Sequence, residues 1–325
     1  MKNGLLLGKF MPFHKGHMAL IDFALANVQF LKILVCAHSN ENIDGTTRYN
    51  WVKGFYHANA AVEVILLEYD ETALPATSVS SREASAKWAS YLKARFPATD
   101  VFISSEPYGE YVADYWNIRF LCFDIKKQIV PVSATLIRRQ PFKYWDYIPP
   151  VVRSYFTKKI CLAGAESTGK SVLTERLAAY YETAFVPETA RDIITETNNC
   201  TLNDLYRIAA AHAKAIIETT PCANKLLFVD TDINITKSYG RFLFDTQITP
   251  EAWIEEANRF DLYLFLETDC PFVQDGTRLT KEERDKLSLF HKKQFAVNGV
   301  PYHSLKGNWE DRFTSAIQLI DKTFF

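Results

Sequence analysis

The chain has 325 residues, with 37 Lys and Arg against 38 Asp and Glu and a formal net charge of -1. The length favours two domains over one, and the balanced charge excludes a general field for nucleic acid or an anionic membrane. Only 12 Gly and 13 Pro are present, which excludes collagen-like and low-complexity chains.

From the amino terminus, MKNGLLLGKFMPFHKGH is broken at once by Lys9, His14 and Lys15, so it is not a secretory leader. Short apolar runs predict strands at residues 4–7, 31–37, 62–67, 101–104 and 118–123. Amphipathic runs between them predict helices at 17–28, 46–60 and 80–96. Ile148-Pro149-Pro150 interrupts any helix and marks a boundary, dividing the chain into residues 1–150 and 151–325. Beyond it come strands at 159–163, 184–186, 226–230, 262–267 and 301–305. Helices are predicted at 171–181, 202–219, 250–259, 281–296 and 309–323. Both halves read as α/β units with mainly parallel sheets. No run reaches the ~20 apolar residues that cross a bilayer. The cysteines Cys36, Cys122, Cys161, Cys200, Cys222 and Cys270 form no C-x-x-C pair, so they read as reduced structural thiols of a cytoplasmic protein.

Chemistry concentrates at three places. The first is Gly8-Lys9-Phe10 followed by His14-Lys15-Gly16-His17, a strand end running into a helix. His14 and His17 share a helical face beside free N–H groups and the positive dipole end. That set suits a phosphate whose charge grows in a transition state, and Gly16 reads as space for a nucleotide; plain surface or capping histidines are the alternative. The second is Val132-Ser133-Ala134-Thr135-Leu136-Ile137-Arg138, where Ser133 reads as a helix cap and Thr135 and Arg138 point the same way as a phosphate clamp. The third is Gly164-Ala165-Glu166-Ser167-Thr168-Gly169-Lys170-Ser171, which fits G-x-x-x-x-G-K-[ST] after a strand and before a helix. Its N–H groups cradle phosphates, Lys170 reaches the terminal ones, Ser171 offers a hydroxyl to Mg²⁺, and Val172 continues the loop.

Supporting residues follow by position. Asp230 and Asp232 end an apolar strand and share its parity. Asp230 reads as Mg²⁺ holder or base, and Asp232 could face the same site; each also reads as a capping or surface aspartate. Glu188 and Arg191, three apart at a helix start, read as an intrahelical ion pair. Arg278 lies in a polar loop and reads either as stabilising transferring charge or as a solvated loop arginine. Arg48 reads as a phosphate contact or a solvated first-turn residue, and Ser104 and Glu106 as contacts to an adenosine ribose at a sheet edge.

The first two motifs resemble the (H/T)xGH and I-S-x-T-x-x-R signatures of nucleotidylyltransferases, with Val132 in place of the isoleucine. With Pro141-Phe142-Lys143-Tyr144-Trp145-Asp146-Tyr147-Ile148-Pro149 and the P-loop half, nearly the whole chain resembles the NadR-type bifunctional nicotinamide mononucleotide (NMN) adenylyltransferase/ribosylnicotinamide kinases. The resemblance implies ATP contacts at Gly8, Lys9, Phe10, Gly16, Ser133, Thr135 and Arg138. It implies NMN or NAD contacts at Phe13, Arg48, Trp88, Ser104 and Glu106, with Trp88 stacked on the nicotinamide ring, although a helical tryptophan usually joins the core. It places the riboside by Glu188, Arg191 and Asp232, and catalysis on His14, His17, Arg138, Lys170, Asp230 and Arg278. It implies Mg²⁺ with ATP, and small-molecule partners rather than nucleic acid or membrane. A homo-oligomer is left open. Because the first strand starts at Gly4, no amino-terminal DNA-binding domain is expected. Two other readings stay open: a nucleotidylyltransferase for another acceptor fused to another kinase, and a non-catalytic ATP/NAD sensor.

Overall fold

The computed structural model describes residues 2–75, 81–194, 200–270 and 280–325, apart from the Arg191 side chain. The chain divides into two compact units, Met1–Arg153 and Ser154–Phe325.

The first unit runs β1 (Asn3–Gly8), α1 (Lys15–Leu25), β2 (Phe30–Ala37), α2 (Gly45–Tyr56), β3 (Val62–Glu68), α3 (Arg82–Arg95), β4 (Val101–Ser104), α4 (Tyr108–Trp116), β5 (Arg119–Cys122) and α5 (Ala134–Arg139). Its sheet is parallel in the order β3-β2-β1-β4-β5. The winding direction reverses between β1 and β4, which opens a crevice at their carboxyl ends. Leu5, Leu34 and Phe102 pack on Trp88 and Leu92 of α3 and on Val112 and Trp116 of α4. α4 was not among the predicted helices. Its N-cap is Pro107, with no side-chain hydrogen bond, so no capping signal announces it. The proline boundary also resolves differently: Pro150 opens a short helix, α6 (Pro150–Phe156), because a first helical residue needs no N–H.

The second unit runs β6 (Lys158–Gly164), α7 (Lys170–Tyr180), β7 (Phe185–Val186), α8 (Ala190–Ile193), α9 (Leu202–Thr219), β8 (Leu226–Asp230), α10 (Ile233–Phe244), α11 (Ala252–Ala257), β9 (Leu262–Leu266), α12 (Lys281–Val297), β10 (His303–Leu305) and α13 (Trp309–Phe324). The parallel order is β10-β9-β6-β8-β7, so β6 and the loop after it are central. Cys161, Ala163 and Phe265 pack with Ile235 of α10 and Phe295 of α12. On the other face Tyr181, just after α7, stacks on Phe228. Among the described residues, no helix is long and apolar enough to cross a membrane.

Candidate active sites

β1 delivers the chain to the crevice of the first unit, and His14 then caps α1. Its Nδ1 accepts the Gly16 N–H at 3.0 Å. A Cβ on Gly16 would lie 2.8 Å from His14 Cε1. A side chain there would crowd the His14 ring, so glycine seats the histidine. The His14 and His17 rings lie 3.8 Å apart between centroids. Burial, then the Lys127 charge, lowers the His14 pKa to about 3. Burial, His14 and Lys127 hold His17 well below the usual range. Both rings are neutral at pH 7, and with Nδ1 accepting, the His14 proton sits on Nε2.

α5 supplies the second motif. Ser133 caps it, accepting the Leu136 N–H at 3.3 Å. Arg138 donates to the Met11 carbonyl and, at 3.3 Å, to Thr135 Oγ1. Two stretches far apart in sequence thus meet in the crevice. Asp124 shapes the approach by accepting the N–H groups of Gln128 and Ile129 at 2.7 and 2.9 Å. This turn carries Lys127, a site cation with no local sequence signature.

Several predicted ligand contacts hold the scaffold instead. Arg48 is 0% exposed. Its guanidinium donates to the carbonyls of Lys9, Cys36, Ile43 and Asp44 and pairs with Glu41. It is neither solvated nor available to a phosphate. Trp88 lies in the core, its indole N–H bonded to the Pro75 carbonyl at 2.9 Å, so it presents no free face for a nicotinamide ring. Phe13 is buried with its ring parallel to that of His17 and edge-on to Phe55 and Tyr56; it backs the histidine. Phe10 is buried beside His17 at a φ of 49°. Gly8 faces the Phe10 ring, which a Cβ would meet at 3.3 Å. Ser104 is buried and accepts the Glu106 N–H at 3.0 Å, while Glu106 is exposed. Lys9 reaches the crevice rim, held by Glu41 at 2.9 Å and His38 at 3.2 Å.

In the second unit the loop after β6 wraps into α7. Gly164 has a φ of 145°, and its missing Cβ clears the Leu266 carbonyl. Gly169 has a φ of 86° and takes the N-cap position of α7. Ser167 also has positive φ. Thr168 Oγ1 and Lys170 Nζ both donate to the Ala165 carbonyl, at 2.8 and 3.0 Å. Ser171 donates to Asp230 Oδ2 at 2.5 Å, and Val172 is exposed. Glu166 accepts the Tyr239 hydroxyl at 3.0 Å.

Asp232 belongs elsewhere. It is 1% exposed and caps α10, accepting from Ile235 N, Asn234 Nδ2 and the Tyr263 hydroxyl. Burial raises its pKa to about 6. The expected riboside role is replaced by a capping role, since its oxygens are already committed. Glu188 is half-buried, and its charge reaches His212 and Tyr239, which sequence reasoning missed. His212 is buried and bonds the Asp230 backbone, so burial lowers its pKa to about 4. Arg278 and the Arg191 side chain lie outside the described residues.

The two sites define the class: a Rossmann-like nucleotidylyltransferase unit and a P-loop kinase unit in one polypeptide. Residues 159–312 match the AAA domain family. The trifunctional NAD biosynthesis/regulator protein NadR of Salmonella typhimurium is 27% identical, over 98% of this chain and 82% of its own length. The protein of the same name from Escherichia coli is 25% identical over the same shares. A crystal structure of a NadR protein in complex with NR superposes with a TM-score of 0.79 at 22% identity, covering 99% of this chain and 96% of that one. A NadR structure with NAD and AMP-PNP gives the same TM-score and coverage at 21% identity. The chain is homologous to the NadR proteins.

Proposed function

We propose that this chain makes NAD in two steps. The second unit phosphorylates nicotinamide riboside with ATP to give NMN. The first unit joins NMN to the AMP part of a second ATP, giving NAD and pyrophosphate. The observation that carries this reading is that each unit builds its own nucleotide grip. Arg138 closes one onto the histidine loop through Met11, and Ser171 meets Asp230 in the other.

In the adenylyl step an NMN phosphate oxygen attacks the α-phosphorus of ATP, and the bond to pyrophosphate breaks. The attacking oxygen is already charged, so no base is needed. The site supplies position and charge stabilisation. Neutral His14, with its proton on Nε2, donates a hydrogen bond to the growing charge beside Arg138 and Lys127. His17 stands against His14 in the same crevice.

In the kinase step the acceptor is a neutral hydroxyl whose proton must leave. Asp230, 0% exposed at the end of β8, is the acid in reach. The residues also fit Mg²⁺. One hydroxyl and one carboxylate are the protein share of a site that nucleotide phosphates and water complete. Ser171 and Asp230 would hold the ion, which would neutralise charge on the phosphates. Lys170 reaches the terminal phosphates. Glu188, just after β7, and His212 of α9 border the acceptor, with Tyr239 on Glu166 of the P-loop. A cytoplasmic location fits ATP as substrate and the free cysteines.

The test is a chromatographic time course with purified protein, MgATP and nicotinamide riboside. NMN should appear first and NAD after it. Lys170→Ala should abolish NMN formation but leave NAD formation from supplied NMN. If the riboside is untouched while NMN becomes NAD, the kinase acceptor is wrong. If folded protein forms neither product, the reading fails.

A further inference from the structure

Arg312 of α13 is 1% exposed, although arginine is a residue type that is mostly found in solvent. Its guanidinium donates to three backbone carbonyls. They belong to Thr168 in the phosphate loop at 2.8 Å, to Glu267 just after β9 at 3.0 Å and to Gly307 before α13 at 3.0 Å. It also pairs with Asp269, which in turn accepts the Gly307 N–H at 2.8 Å. A buried charge is a costly way to join a helix to a sheet, and an apolar contact would serve that purpose as well. Packing alone does not call for it.

The bond to Thr168 gives the charge a purpose. The Thr168–Gly169 peptide is trans. In a trans peptide the carbonyl and the N–H point in opposite directions. A Thr168 carbonyl held on Arg312 therefore turns the Gly169 N–H away from α13. Thr168 is pinned a second time, because its hydroxyl donates to the Ala165 carbonyl at 2.8 Å. Gly169, at a φ of 86°, has no Cβ to oppose the reversed peptide, so its own backbone does not fix the orientation. An outside contact must fix it, and Arg312 is that contact.

We propose that Arg312 is a positioning residue of the kinase unit: by holding the Thr168 carbonyl, it aims the Gly169 N–H at the phosphates of the bound nucleotide. A reversed peptide would set a carbonyl oxygen against those anions in place of a donor. Arginine suits the task because its planar fork meets several acceptors at once and stays charged. Lysine, a point charge on a flexible stem, would keep Asp269 but not the set of carbonyls. The assignment rests on the reading of residues 164–171 as a phosphate loop.

The test is calorimetry of inorganic tripolyphosphate and of MgADP on the whole chain, the second-unit site being the binding that Lys170→Ala removes. Arg312→Lys should weaken both ligands about 10- to 100-fold, as loss of one hydrogen bond to a charged group does. Asp269→Asn removes the carboxylate but leaves the Thr168 bond, so it should lower the urea midpoint and leave both affinities unchanged. Unchanged affinity in folded Arg312→Lys would overturn the proposal. Affinity that follows stability in both variants would overturn it too, because Arg312 would then only brace the fold. A second measurement does not depend on the variant folding. With ¹⁵N-labelled glycine the chain shows only 12 glycine signals, and that of Gly169 should shift when tripolyphosphate is added to wild type. A Gly169 signal that stays in place while tripolyphosphate binds would refute the assignment. If wild type binds neither ligand at this site, the phosphate-loop reading fails and the proposal with it. No acceptor is present, so a wrong riboside assignment would leave every result readable.

Discussion

Replacing Gly16 with alanine separates seating the His14 ring from making space for substrate. The new Cβ would fall 2.8 Å from His14 Cε1 and 3.0 Å from Nδ1, so the ring must retreat by roughly half an ångström to reach ordinary contact. Its retreat weakens the cap to the Gly16 N–H, worth about 1 kcal/mol. Alanine in the first turn of α1 regains up to about 1 kcal/mol over glycine. The two nearly cancel, so stability should barely move. Catalysis should move far more. Removing a donor to developing charge costs about 10²–10³ in kcat, and a displaced donor should lose roughly 10- to 100-fold. NAD formation from supplied NMN should thus drop in kcat, with KM for ATP little changed. Riboside phosphorylation by the same preparation is the internal control. If Gly16→Ala keeps full kcat and raises KM for ATP instead, Gly16 serves ligand access, and the seating argument is refuted.

Buried histidines should make the fold acid-sensitive. His14, His17, His212 and His291 all have pKa values depressed by burial. Below about pH 6.5 the unfolded chain therefore binds more protons than the folded one, and stability falls as pH falls. In the first unit two histidines give roughly 2–3 kcal/mol per pH unit between pH 6 and 4. In the second, Asp232, raised to about 6, takes up a proton on folding and offsets one of its two histidines. Urea titrations across this range should show the first unit losing stability more steeply; equal slopes would contradict the assignment. Glu41→Gln should cost about 3 kcal/mol in the first unit by leaving buried Arg48 without its carboxylate, and a loss under about 1 kcal/mol in urea melts would count against the strut. Asp230→Asn keeps an acceptor for Ser171, so the fold should survive. Its riboside phosphorylation should fall at least about 100-fold while NAD formation from NMN stays intact, and a smaller loss would remove Asp230 from the chemistry.

What was legible in the sequence was local. The P-loop, its strand and its helix need only neighbours in the chain, and β4 and α9 occupy the predicted residues. What was not legible depends on partners far away. Arg48 and Asp232 carry charges that composition places in solvent or at a ligand. Each is buried because a carbonyl cluster or a helix end from the fold satisfies it. Trp88 reads as core or as a stacking ring, and its burial and the Pro75 bond decide for the core. α10 escaped notice because its β-branched start, Ile233 and Ile235, looks like strand. The Gly16 contact lies within one motif, yet it appears only when the His14 ring has a rotamer.

The two sites solve opposite problems with the charge of the attacking oxygen. An NMN phosphate arrives negative, so a carboxylate beside it would repel it and raise the barrier. On the proposed assignment it meets imidazoles, kept neutral by burial and by Lys127. A riboside hydroxyl arrives neutral and must lose a proton, so the second site needs an acceptor. It provides the Asp230 carboxylate, already accepting the Ser171 hydroxyl. The pattern follows from the protonation of each nucleophile. On the proposed reading, paired neutral histidines serve adenylyl transfer to a phosphate, and a buried acid beside the P-loop serine serves phosphoryl transfer to an alcohol.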